Sequence, residues 1–224
     1  MSNLEILKIL KEIPLFQALS EEHLSMISDG FITKKFEKDK IIFYQYEKST
    51  ELYVILRGSV KACLLDLEGK ELILHIFKRG DFFGELSLLD GRPRSATLIA
   101  VEDSTVGILK REKFIKLLEK TPSIAVSMLS AIVERLRMTD EMLGAMAFLD
   151  VSKRIIKYLL KLAEREGIKT DDGRIKIKKM THRQLASCTG ASREAVTKAF
   201  KILKFRGILK EDDEFFIVSP KIEW

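Results

Sequence analysis

Gly84-Glu85-Leu86-Ser87-Leu88-Leu89, followed across the turn Asp90-Gly91-Arg92-Pro93 by Arg94-Ser95-Ala96, places an arginine, a serine, an acidic residue and two glycines within a dozen positions. The planar guanidinium of Arg94 matches a phosphate oxyanion better than an ammonium would. The Ser95 hydroxyl adds a second partner for phosphate oxygens, and Glu85 supplies acceptors for a sugar hydroxyl. Gly84 allows close backbone approach, and a helical turn starting at Glu85 would direct free N–H groups at an anion. Together these groups meet the needs of a phosphodiester. The same residues read individually describe a surface turn with one arginine.

These residues need a scaffold, and 224 residues suffice for one large or two small domains. From Phe31 to about Leu109 short apolar alternations are broken by Gly58, Gly69, Gly80, Gly91 and Gly107. Leu52–Leu56, Val60–Leu65, Leu72–Phe77 and Ala96–Val101 are predicted strands, which suits a β-roll or sandwich. Ahead of them Ser20-Glu21-Glu22 reads as a helix start, with Leu24 and Ile27 on the buried face.

After Pro122 the period changes. Leu129, Ile132, Leu136, Thr139, Leu143 and Met146 are spaced 3, 4, 3, 4, 3, an a/d seam on one long helix. Such a stripe fits a second copy of itself in a parallel dimer, or the chain's own β-domain. The Thr139 hydroxyl interrupts the stripe; it either bonds the carbonyl four residues back or serves a ligand. Arg135, one turn earlier, is placed to balance the charge of Asp140.

Asp150 is a predicted N-cap for a helix carrying Ile155, Ile156, Leu159, Leu160 and Ala163. Ile175-Lys176-Ile177 alternates as a short strand, and Thr181 to Gly190 followed by Ser192-Arg193-Glu194 reads as helix, turn, helix with Thr181 and Ser192 as caps. Polar groups at the start of the second helix suit a major groove. Arg193 can contact guanine bidentately, Glu194 can accept from a cytosine amine, and Lys198 lies one turn on. Gly207-Ile208-Leu209 and Phe215–Val218 suggest a two-stranded wing with an acidic tip.

Charge agrees with this division. Residues 150–224 hold 18 Lys and Arg against 11 Asp and Glu, a net +7, whereas residues 1–149 net −1. A basic carboxyl-terminal third points to a polyanion or to a solvated lysine-rich face. Two cysteines, Cys63 and Cys188, make no disulfide framework and no iron–sulfur cluster, and no metal-ligand spacing appears. His75, the one histidine among the strands, is a poor haem ligand candidate, and no nucleophile is placed with a histidine base, so catalysis is not expected. No run approaches a membrane span and Met1-Ser2-Asn3 does not open a signal sequence, so a cytoplasmic protein is expected.

The order of cassette, long helix, Phe148-Leu149-Asp150 hinge and Ser192-Arg193-Glu194 motif resembles the cyclic-AMP receptor and fumarate-nitrate-reduction regulator family of bacterial transcription factors over essentially the whole chain. The resemblance implies an α+β protein with an effector β-roll (jelly roll) at 1–121, a dimerisation helix at 122–149 and a winged helix-turn-helix at 150–224. It implies nucleotide contacts from Gly84, Glu85, Arg94, Ser95, Arg135, Thr139 and Asp140, and base reading by Arg193, Glu194 and Lys198. Ser152, Arg183 and Ser192 would touch phosphates. Double-stranded DNA of two-fold symmetry, a second copy of the chain and RNA polymerase are the implied partners; cyclic AMP is the implied effector, with no obligatory cofactor. The chain departs from the pattern at Asp140, where responsive members carry a small hydroxyl residue, and at Lys198, where arginine is usual. Aspartate there either accepts from an adenine amine or excludes the nucleotide. A regulator of the same fold with another effector or none, and a nucleotide-binding subunit of an enzyme, are the competing readings.

Overall fold

The computed structural model describes residues 3–17, 19–28 and 30–219; Met1, Ser2 and the single tryptophan, Trp224, lie outside the described residues. Contacts divide the chain into two compact units, one of residues 1–69 and 73–137, the other of residues 70–72 and 138–224. The division falls inside the long helix.

In the first unit, α1 (Asn3–Glu12), a short 3-10 turn (Pro14–Phe16) and α2 (Glu21–Ser28) precede the strands. The Ser20 hydroxyl accepts the His23 N–H at 3.3 Å, so the predicted start of α2 is present. Eight strands follow: β1 (Ile32–Phe36), β2 (Ile41–Phe43), β3 (Leu52–Arg57), β4 (Ser59–Leu65), β5 (Glu71–Lys78), β6 (Phe82–Phe83), β7 (Thr97–Ala100) and β8 (Ser104–Leu109). They form two four-stranded sheets, β1-β8-β3-β6 and β2-β7-β4-β5. Phe43, Ile55, Val60, Phe83, Leu98 and Val106 fill the space between them, because alternate side chains of each strand face inward. The outer face of the first sheet is covered by α1, α2, α4 (Arg111–Lys120) and the beginning of α5 (Pro122–Phe148). Leu10, Phe16, Leu52, Val54, Phe114 and Ile124 meet there, each at 0% exposure. All four predicted strands are present; β1, β2, β6 and β8 come in addition.

α5 runs for 27 residues, about 40 Å at 1.5 Å per residue. Three positions of the predicted seam, Leu129, Leu136 and Leu143, are exposed along it. Val126, Leu129, Val133, Leu136 and Leu143 are exposed at 46–64%, and Phe148 at the end of the helix at 87%. Ile132 is half-buried against the core of the first unit, and Met146 lies against Gly190 in the second. Of the other seam positions Thr139 is exposed, and Ile132 and Met146 are half-buried. Asp140 is exposed beside Thr139.

In the second unit α6 (Val151–Glu166) starts at the predicted cap, Asp150 accepting the Lys153 N–H at 3.0 Å. It packs with α7 (His182–Thr189) and α8 (Arg193–Phe205) around Ile155, Leu159, Leu185, Val196, Phe200 and Phe216. The predicted two-stranded wing, β11 (Leu209–Glu211) with β12 (Phe215–Val218), is half of a larger sheet. Its order is β11-β12-β10-β9, adding β9 (Ile168–Lys169) and β10 (Ile175–Lys178). The wing's acidic residues are used internally: Glu211 pairs with Lys204 and Lys179, and Asp212 accepts the N–H groups of Glu214 and Phe215 and pairs with Lys176.

Candidate ligand cleft and nucleic-acid interface

The cleft of the first unit begins at a backbone constraint. Gly84 has φ +85° and caps α3 (Glu85–Asp90). A Cβ there would come within 2.6 Å of Arg94 Nη1 and 2.8 Å of the Glu51 carbonyl, so glycine is required both by conformation and by space. The chain then turns through Gly91, φ +72°, and returns along the edge of the cleft with Arg94 and Ser95. The cleft is small, about 60 Å³, and open to solvent, with Phe43, Phe77, Phe83, Gly84, Glu85, Arg94 and Ser95 among its walls.

Arg94 is 2% exposed, and four hydrogen bonds hold it. Nε donates to Ser49 Oγ at 2.7 Å, Nη1 to the Gly84 carbonyl at 2.9 Å, and Nη2 to the Glu51 carbonyl at 3.0 Å and to its carboxylate at 3.3 Å. Its guanidinium carbon lies 4.3 Å from the Phe43 ring centre and 5.5 Å from that of Tyr53. Burial lowers the arginine's pKa, against which Tyr53, Glu51, Glu47 and Glu85 act. Desolvation likewise raises that of Tyr53. Arg94 thus places a buried cation beside aromatic rings at the wall of the cleft. Ser95 is exposed at the rim.

Glu85 is 6% exposed, and its carboxylate accepts from Arg135 Nη1 at 2.8 Å. Arg135 also donates to the Phe82 carbonyl at 2.7 Å and stacks over the rings of Phe82 and Phe77 at 4.6 and 4.8 Å. Arg135 thus pairs with the buried carboxylate of Glu85, where desolvation strengthens attraction. Thr139 and Asp140 are exposed on α5, beyond the division at Arg137. Ser49 and Glu51, which position Arg94, were not legible in the sequence. They lie more than 40 residues before it in a loop with no periodicity.

In the second unit Thr181 and Gln184 form a capping box at α7, and Ser192 accepts the Ala195 N–H at 3.1 Å to start α8. Gly190, φ +61°, makes the turn between them. Arg183, Ser192, Arg193, Glu194 and Lys198 are exposed, and Ser152 is half-buried in the first turn of α6. The Glu194 backbone N–H and the Ser192 hydroxyl hold the Glu194 carboxyl below the usual range, keeping it an acceptor. A further link was not anticipated from sequence. Thr197 donates to the Arg193 carbonyl at 2.9 Å and meets His182 Nδ1 at 2.9 Å, tying the first turn of α7 to α8. An exposed polar helix start, held rigidly by a second helix, is the geometry that enters a major groove.

Comparison with known proteins agrees with both halves. Residues 33–121 match the cyclic nucleotide-binding domain and residues 153–221 the Crp-like helix-turn-helix domain. The cAMP-activated global transcriptional regulator CRP of Salmonella typhimurium is 35% identical over 185 residues, covering 82% of this chain and 88% of that one. The chain belongs to the cyclic-AMP receptor and fumarate-nitrate-reduction regulator family. The cyclic AMP receptor protein of Thermus thermophilus is 32% identical over 201 residues, 90% of each chain. The crystal structure of the Thermus thermophilus catabolite activator protein aligns with a TM-score of 0.54 at 30% identity, over 92% of this chain and 94% of that one. The regulator CLP of Xanthomonas campestris, at 21% identity, shares the fold with a TM-score of 0.78, over 90% and 100% of the two chains. This family member is a DNA-binding transcription regulator with a cyclic nucleotide-binding domain, and not an enzyme. Among the described residues no helix is long and apolar enough to cross a membrane.

Proposed function

We propose that this family member is a homodimeric transcription regulator switched by a cyclic nucleotide, cyclic AMP first among them. The observation that carries this reading is the buried Arg94 at the floor of a cleft walled by Gly84, Glu85 and Ser95. Arg94 would meet the cyclic phosphodiester, Ser95 and the first N–H groups of α3 its oxygens, and Glu85 the ribose hydroxyl. Thr139 and Asp140 would meet the base. Two chains would join along Val126, Leu129, Val133, Leu136 and Leu143, exposed to a degree that a lone helix does not favour in water.

The switch is a population shift. Nucleotide favours the arrangement of the dimer in which two α8 helices are spaced about 34 Å apart, one duplex turn. The ligand acts only through its different affinity for the two arrangements. Arg193, Glu194 and Lys198 then read bases while Ser152, Arg183 and Ser192 touch phosphates, on a two-fold symmetric operator beside RNA polymerase.

Calorimetric titration of cyclic AMP into nucleotide-stripped protein tests the ligand. Saturable heat with one site per chain, weakened in Arg94→Lys, is expected; lysine keeps the charge and loses the fork. CLP is named as responsive to cyclic di-GMP. Heat with cyclic di-GMP and none with cyclic AMP would therefore move the site to another ligand. Silence with both would contradict a nucleotide switch.

A further inference from the structure

A guanidinium carries five N–H donors. In Arg94 the protein's own acceptors engage four of them: Ser49 Oγ, the Gly84 carbonyl, the Glu51 carbonyl and the Glu51 carboxylate. Tyr53 lies beside the same fork, its ring centre 5.5 Å from the guanidinium carbon. The longest of the four bonds, at 3.3 Å, is the one to the Glu51 carboxylate, whose side chain is 39% exposed and able to turn into solvent. The two carbonyls are fixed by the backbone. Release of the Glu51 carboxylate frees an Nη2 N–H for a ligand oxygen.

We infer that Glu51 is a resident competitor for the anion site, a specificity-determining residue whose carboxylate occupies Arg94 until a ligand phosphate displaces it. The inference rests on the proposed cyclic-nucleotide reading of the cleft. Charge sharpens the competition. Glu47, Glu51 and Glu85 all act on Arg94, so an entering phosphodiester meets three carboxylates facing one cation. Glu85 is already neutralised by Arg135, leaving Glu51 as the carboxylate in direct contact with Arg94. Its displacement sets a threshold: a ligand must offer a full negative charge and a geometry that replaces the carboxylate, so a neutral nucleoside is rejected. The same contact keeps Arg94 paired rather than buried alone.

The test is calorimetry of cyclic AMP with stripped wild-type protein, Glu51→Gln and Glu51→Ala, each checked by circular dichroism and thermal unfolding. Glutamine keeps the shape and removes the charge; alanine removes the acceptor and, at a half-exposed position, leaves the roll intact. Both variants are expected to bind about tenfold tighter than wild type, the scale of one charge-assisted hydrogen bond in a partly solvated site. Binding by the variants alone would also support the inference, with Glu51 as an excluding group. Equal or weaker binding in both variants, with measurable heat in wild type, would overturn the inference and leave the cyclic-nucleotide reading standing. No heat in any of the three proteins would overturn that reading and the inference with it.

Discussion

Glu85 and Arg135 stand 2.8 Å apart in an ion pair whose side chains are 8% and 19% exposed. The pair fastens the first residue of α3 to α5 one turn before Thr139. The start of α3 and the long helix α5 therefore share one partly buried contact.

Removal of one partner leaves the other charged and desolvated. Arg135→Met and Glu85→Gln should each lower stability by about 3 kcal/mol, and the double variant by less than their sum. Urea unfolding of the four proteins checks this. Additive losses would mean that the two side chains act independently.

Gly84→Ala meets two obstacles at once. The left-handed conformation costs about 1–2 kcal/mol for a residue with a Cβ. That Cβ would also press on Arg94 Nη1 and the Glu51 carbonyl at 2.6 and 2.8 Å. The heat of nucleotide binding should disappear while the far-ultraviolet circular dichroism stays that of wild type.

The exposed stripe of α5 predicts the oligomeric state. Leu136→Glu, at a position 58% exposed in the single chain, should convert dimer to monomer in sedimentation without loss of helix. Asp140→Leu should tighten the dimer, because Asp140 is exposed beside Thr139 of the seam and two copies would set like charges together.

Base reading has its own signature. Arg193→Ala should cost about 1–3 kcal/mol on the preferred duplex and relax selection at one base pair per half-site. Arg183→Ala should weaken binding to all duplexes and lower the salt slope by about one. Selection from a random duplex library, followed by anisotropy at several salt concentrations, separates the two.

Glu211 links stability to acid. Its carboxyl lies below the ordinary value of 4.5, first because Lys204 bonds to it. A depressed folded value means that its stabilising contribution is complete above the ordinary carboxylate range and is lost as the pH falls through the lowered value. Thermal unfolding between about pH 6 and pH 3 should show a smaller acid loss in Glu211→Gln than in wild type.

Much of the molecule was legible from local patterns. Asp150, Thr181 and Ser192 cap the helices that their positions announce, and Gly84, Arg94 and Ser95 sit on one cleft because a dozen residues suffice to define it. What escaped depends on distance in sequence. Ser49 and Glu51 reach Arg94 only through the closure of the roll, and β6 has two residues, too few to show a period. A heptad count fixes which rows of a helix are apolar, but the exposure of Val126 and Val133 beside Leu129, Leu136 and Leu143 depends on tertiary packing. The pairing of Arg135 with Glu85, 50 residues distant, was likewise not legible from local spacing.

The central claim is that a nucleotide in the roll governs the grip of α8 on DNA. Anisotropy of a selected duplex with the full-length dimer, with and without saturating cyclic AMP at one salt concentration, measures this coupling directly. The account predicts at least a tenfold tightening, about 1.4 kcal/mol of coupling, absent from Gly84→Ala. Equal DNA affinity in the two conditions, with calorimetry showing the nucleotide bound, would contradict it.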